Sequence, residues 1–245
     1  MTRCEFFTEE DRITGFCISG HSGYAAGAVA EWDEQIAALC DFAVGKTVEE
    51  MKSGAVDETG KAPADSDLAS SATIYLGGYV SALEAAAANA TALGAQAGDE
   101  LKLVTISSLG SCAPASAEEA GLAQLDTDIA VVTVSEGVVT SCIIDAVQAK
   151  VNFDTTGTIT TDLTAPIQTK NELGENYGMV AWGQASAEWN EQAASFASYI
   201  TGKTAEEIAG IAVNEATKPA DGTDLASSVT ISVGGFQNLI AKALS

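Results

Sequence analysis

Two short polar strings hold the residue types best suited to chemistry: Asp67 to Thr73 (DLASSAT) and Asp224 to Thr230 (DLASSVT). Each sets a carboxylate six residues ahead of a threonine, with small side chains between. Small side chains let a phosphate approach the backbone, and amides at the start of a following helix would hold its negative charge. A threonine hydroxyl in that setting can become an ester-linked attachment point. The plainer alternative makes Asp67 and Asp224 turn caps, with Ser70, Ser71, Ser227 and Ser228 along a polar strand edge. Spacing alone leaves both open.

Other reactive side chains are scattered. Cys4, Cys17, Cys40, Cys112 and Cys142 are odd in number and show no CxxC or Cys/His ligand spacing. They indicate neither a disulfide framework nor a metal site. Gly45-Lys46-Thr47 and Gly202-Lys203-Thr204 share the end of a phosphate-binding loop. The upstream glycine that such a loop needs is Cys40 or Ala197, and a helix precedes it in place of a strand.

The elements that must position the two strings are themselves duplicated. An offset of 157 aligns Trp32 with Trp189, Lys46 with Lys203, Asp67 with Asp224 and Thr73 with Thr230, without insertion. Trp32, Ile36, Leu39 and Ala43 share one helical face, as do Trp189, Phe196 and Ile200. Thr47 with Glu50, and Thr204 with Glu207, have capping-box spacing and open a short second helix. A polar loop follows, then the string. "TIYLGGYVSALEAAA" and "TISVGGFQNLIAKAL" then predict a short strand, a Gly-Gly turn and a closing helix. Ahead of the second copy, alternating β-rich runs flank Glu136-Gly137 and read as a hairpin. "VNFDTTGTITTDL" reads as a further strand pair. The first copy has only "CEFFTEEDRITGFCIS", matched through Cys17 and Cys142 at an offset of 125, so it is 32 residues shorter there.

Composition bounds the partners. The 245 residues are 47% hydrophobic but only 6% aromatic, which favours helices of small residues and a finely packed core. A net charge of −23 disfavours phosphate backbones and anionic lipid surfaces, and excludes nucleic acid as an expected partner. No window is apolar enough to span a bilayer. "MTRCEFFTEEDR" carries acids where a signal peptide needs a basic start. If this N-terminus is complete, the expected compartment is the cytoplasm.

The repeated string resembles the flavinylation motif of the FMN-binding domain family of the NqrC and RnfG electron-transport subunits. That pattern runs Asp, two variable positions, Ser or Thr, Gly or Ser, Ala and Thr. Asp67, Ser70, Ser71, Ala72 and Thr73 match it; the second copy, with Asp224, Ser227, Ser228 and Thr230, departs at Val229. Leu68 and Leu225 stand where the family often has glycine. The family usually follows the threonine with Thr-Ser, whereas this chain has Ile74-Tyr75 and Ile231-Ser232. The order of hairpin, Gly loop (Lys170 to Met179), Trp/Phe helix ending in Gly-Lys-Thr, motif and Ala-rich helix is also similar. The resemblance implies FMN esterified through its phosphate to Thr73 and Thr230. It also implies a flavin transferase and membrane electron-transport components as partners, and a place outside the membrane.

A second resemblance covers residues 1–26. "ITGFCISGHSGYA" is similar to the start of the ribosomal-processing cysteine protease Prp, and it implies His21 as base for a cysteine on the next helix. A neutral imidazole would take the thiol proton and leave a thiolate to attack. The first cysteine after His21 is Cys40, inside the duplicated helix, and its counterpart is Ala197.

The sequence thus predicts an α+β chain of two tandem FMN-binding-like domains, each a small antiparallel sheet with packed helices. The first, 1–93, is truncated and begins with the Prp-like leader; 94–126 connects, with a strand at "ELKLVTIS"; 127–245 is the second repeat. The expected function is electron carriage by phosphoester-linked flavin, without substrate turnover by the chain itself. A flavin-free binding or structural module of a bacterial envelope is the alternative. An inactive protease-like protein using the His21 and Cys40 positions is a third reading.

Overall fold

A computed structural model describes residues 3–9, 12–19, 29–183 and 185–245, and the chain divides into two compact units, 1–91 and 92–245. In the first unit a hairpin of β1 (Arg3–Glu9) and β2 (Arg12–Ser19) precedes α1 (Trp32–Ala43), α2 (Val48–Gly54) and α3 (Gly77–Ala88). The backbone of β2 passes beside α1, and that of β1 beside α3. The periodicity of α1 does what it predicts: Ile36, Leu39 and Ala43 are buried on one face. Thr47 opens α2 through the expected reciprocal cap, its hydroxyl accepting the Glu50 amide at 3.2 Å while Glu50 Oε2 accepts the Thr47 amide at 2.7 Å. Leu39, Met51, Leu76 and Leu83 are fully buried between these helices. Each such side chain stabilises the fold by about 1.5–3 kcal/mol relative to exposure.

The second unit is built on a three-stranded antiparallel sheet in the order β3 (Glu100–Ser108), β4 (Gly121–Ser135), β5 (Val138–Phe153). The hairpin between β4 and β5 turns at Glu136 (φ 51°) and Gly137 (φ 79°), where the sequence places it. Two successive positive φ values are what a two-residue turn needs to follow the twist of the strands. Four helices follow: α4 (Lys170–Leu173), α5 (Trp189–Ile200), α6 (Ala205–Ala209) and α7 (Gly234–Ala243). Helix α5 lies on β5, and α7 crosses β3 and β4. Ala130, Val132, Ile144 and Ala146 of the sheet meet Phe196, Ile200, Leu239 and Ile240 of the helices in one core. Phe236 closes it, edge-on to Trp189 at 5.7 Å and tilted against Phe196 at 5.4 Å. The chain is therefore mixed α and β, as its sequence predicts.

Three details differ from the sequence reading. No strand forms over Thr73–Leu76 or Thr230–Val233, and the paired glycines are not a turn. They are the first residues of α3 and α7. The residues before them pair with no strand; their amides go instead to a glutamine side chain and to the Gly60 or Thr217 carbonyl. The second strand pair predicted after Val151 is only a reversal. Asp154 Oδ1 accepts the Thr156 and Thr158 amides, and a single bridge joins Phe153 to Ile159. Finally, the segment 94–126, read as a connector holding one strand, supplies β3 and the first residues of β4, and so belongs to the sheet.

The repeats also show a paired exchange. Gly60 (φ 74°) lies under the Tyr75 ring, so close that a Cβ there would sit 2.1 Å from Tyr75 Cε2. In the second copy the counterparts are Thr217 (φ 55°) and Ser232, whose hydroxyls bond to each other. Where the ring is absent, a β-branched residue occupies the same left-handed turn.

Candidate functional site

In each copy the polar string coils as one short 3-10 turn, Asp67–Ser70 and Leu225–Ser227. It is a helical turn in place of the alternative strand edge. The Ser70 hydroxyl donates to the Asp67 carbonyl at 2.9 Å, and Ser227 to that of Asp224 at 2.7 Å. Leu68 and Leu225 anchor the turn in the cores, and Ala72 and Val229 are buried just after it. The departure at Val229 is thus a packing difference in the interior. Asp67, Ser70, Ser71 and Thr73 are exposed, as are Asp224, Ser227, Ser228 and Thr230.

What fixes the threonine is a residue that sequence reading passed over. Gln35, on α1, is 1% exposed, and its Oε1 accepts the Thr73 amide at 2.8 Å and the Ile74 amide at 3.2 Å. Its Nε2 donates back to the Ala30 carbonyl at 2.7 Å. Gln192, on α5, repeats the arrangement: Thr230 amide at 2.7 Å, Ile231 amide at 3.2 Å, and Nε2 to the Ala187 carbonyl at 2.9 Å. The threonine hydroxyls also point a donor at the same oxygen, at 3.3 Å and 3.2 Å. A carboxamide oxygen has two lone pairs, and the two amides already use them, so the hydroxyl contact is the weakest of the three. The result is a threonine with a fixed backbone and an accessible, easily released Oγ.

Several amides at and just before the starts of the following helices are engaged within the protein. Besides those taken by glutamine, the Leu76 and Gly77 amides go to the Gly60 carbonyl, and the Val233 amide goes to that of Thr217. In each copy one lysine stacks on an aromatic ring of the long helix. Lys46 covers the Phe42 ring at 3.9 Å from its centroid, and Lys203 covers the equivalent Tyr199 ring at 4.6 Å. In the second unit Tyr199 and Ser195 of α5 face Asp224, Leu225 and Ser228 across a surface groove of about 530 Å³.

The Gly loop from Lys170 to Met179 is fixed by another missed residue. Glu188, 5% exposed, accepts the Met179 amide through Oε2 at 2.8 Å and the Val180 amide through Oε1 at 3.0 Å. Gly178 (φ 81°) lies under Trp182, where a Cβ would stand 2.4 Å from the indole Cδ1. The repeated helix start, with Glu34 and Glu191 three residues inside it, could have pointed to Glu188 as a cap. Nothing in the sequence tied it to a loop nine residues earlier.

His21 lies outside the described residues. Cys40 is half-buried on α1. Cys142, on β5, is buried, and burial pushes its thiol up to about 12. Among the described residues, no cluster of three or more His, Cys, Asp or Glu side chains is arranged to hold a metal ion. No family model, no curated protein and no solved structure matches the chain.

Proposed function

We propose that the protein is a flavin carrier of two tandem FMN-binding-like domains, with FMN joined by phosphoester to Thr73 and Thr230, serving electron transport between membrane-associated partners. One observation carries the reading. In both copies the last threonine of the motif is held at its amide by a buried glutamine while its hydroxyl stands at the surface. A transferase needs such a residue: a backbone that does not move and an oxygen that a bulky phosphate can reach. As the threonine Oγ–P bond forms, the phosphorus–oxygen bond to the leaving group of the flavin dinucleotide donor breaks, and the hydroxyl proton passes to a base of the transferase; Gln35 and Gln192 hold the threonine backbone in place. FMN, when bound, supplies the redox chemistry, and the chain supplies attachment, orientation and field. In the second unit the groove beside Asp224, Leu225 and Ser228 offers walls of small side chains and the Tyr199 ring for a planar group.

The flavin-free alternative, a binding or structural module of a bacterial envelope, also has an observation in its favour. The glutamine satisfies the motif amides from within the protein, so the fold is complete without a phosphate. Colour decides between the two. Protein purified from a host expressing a flavin transferase, denatured and run on a gel, would keep flavin fluorescence on its band if the carrier reading holds. A colourless, non-fluorescent band would leave the structural reading.

A further inference from the structure

The two motifs share a frame but differ in the wall beside it. In each copy the long helix passes next to the 3-10 turn, α1 beside Asp67–Ser70 and α5 beside Leu225–Ser227, and a buried glutamine fixes the threonine in the same way. In the second copy Ser198 and Tyr199 form the helix side of the groove, facing Asp224 and Ser228. At the offset of 157 their counterparts are Asp41, Phe42, Asp67 and Ser71. The shared frame sets Asp41, which is exposed, where Ser198 stands. The second copy therefore has one carboxylate on this wall and turn, Asp224, and the first has two, Asp41 and Asp67.

The neighbouring lysines differ as well. Lys46 is committed, its Nζ donating to the Phe42 carbonyl at 2.6 Å while it covers that ring. Lys203 lies 4.6 Å from the Tyr199 ring centroid, and among the described residues its ammonium has no hydrogen-bond acceptor. Tyr199 lines the groove, so Lys203 stands at its edge with donors to spare. Both differences act in the same direction on an arriving anion. In the first copy a phosphate meets an added like charge and an engaged cation. In the second it meets a neutral serine and an available cation.

We infer, resting on the carrier reading, that Asp41 and Ser198 set the order of modification, so that a flavin transferase esterifies Thr230 ahead of Thr73. In the step itself the threonine Oγ–P bond forms, the phosphorus–oxygen bond to the adenylate leaving group of the flavin dinucleotide breaks, and the hydroxyl proton passes to a base of the transferase. The donor's diphosphate is anionic throughout, so its approach to Thr73 carries the repulsion of Asp41 and Asp67 together. This order runs opposite to the motif match, in which Ala72 fits the pattern and Val229 departs from it. Val229 is buried, so its departure leaves the approach to Thr230 unaltered.

The test is a time course of the full chain with a flavin transferase and flavin dinucleotide, in which peptide mass mapping follows the flavin on each threonine separately. Thr230 should fill roughly threefold to tenfold faster than Thr73, the size of a like-charge effect at a solvated surface. The gap should narrow as salt is raised, because the charges are exposed and screened. Asp41→Asn should speed Thr73 and leave Thr230 as it was; Ser198→Asp should slow Thr230 and leave Thr73 as it was. Both positions are exposed, so neither variant should disturb the core. Equal rates on the two threonines, Thr73 filling first, or a Thr73 rate that Asp41→Asn does not raise would overturn the assigned order and leave the carrier reading standing. No flavin on either threonine would overturn both.

Discussion

Gln35 Oε1 lies 2.8 Å from the Thr73 amide, and 157 residues later Gln192 Oε1 lies 2.7 Å from the Thr230 amide. Duplication has kept the contact although the residues around it changed, with Ile36, Leu39 and Tyr79 in one copy becoming Ala193, Phe196 and Phe236 in the other. The relationship ties the exposed motif to the most buried helix of each unit.

Removing that acceptor leaves two amides without a partner. Gln35→Leu and Gln192→Leu should each lower stability by about 1–3 kcal/mol, the usual cost of a buried polar group left unpaired. Denaturant unfolding measures the loss. Amide exchange locates it: Thr73 and Ile74 in one variant, Thr230 and Ile231 in the other, should lose protection while the rest of the core keeps it. Unchanged protection at those amides would mean that the glutamines do not hold the motif.

Much of this framework can be read from the sequence, and its failures have physical causes. The repeat, the capping boxes at Thr47 and Thr204, and the Glu136-Gly137 turn are local, so residue type and spacing specify them. Gln35 and Gln192 escaped because one glutamine on an amphipathic helix reads as part of the polar face. Their conservation between copies, beside buried Ile36 and Ala193, was the available signal. The Gly-Gly pairs misled for the opposite reason. Glycine is a good local marker of turns, but here tertiary hydrogen bonds to Gly60 and Thr217 fix the preceding residues and let a helix start through both glycines.

Gly60 tests the paired exchange. Gly60→Ala should cost about 1 kcal/mol, chiefly for placing a Cβ at φ 74°, because the 61% exposed Tyr75 ring can swing aside. Tyr75→Ser in the same chain should leave most of that cost in place. Full rescue by Tyr75→Ser in thermal unfolding would show that contact with the ring, and not the backbone, sets the preference for glycine.

Asp128 gives a pH-dependent prediction. Burial pushes its carboxyl above the ordinary value of 3.8, with Lys170 opposing and Asp126 reinforcing the shift. A raised folded-state value means that the contribution to stability is full below 3.8 and is lost as pH rises through the folded value. Asp128→Asn stays neutral throughout, so it should match wild type near pH 3 and exceed it at pH 7. The margin should be under about 1 kcal/mol, since the group is partly solvated and screened. Thermal midpoints of both proteins across that range check the sign.

The thiols should separate by burial. Cys112 is exposed and Cys142 is buried with its thiol near 12. A thiolate-selective reagent at neutral pH should label Cys112 within minutes in native protein, and Cys142 only after denaturation. Labelling of native Cys142 at a comparable rate would contradict the packing of β5 against α5.

The central claim is attachment at the motif threonines, and intact mass tests it most directly. The full chain, Thr73→Ala, Thr230→Ala and the double variant would each be co-expressed with a flavin transferase in an exporting host and weighed. The account predicts two added FMN masses on wild type, one on each single variant and none on the double. An unmodified wild-type chain, or flavin retained on the double variant, would contradict it.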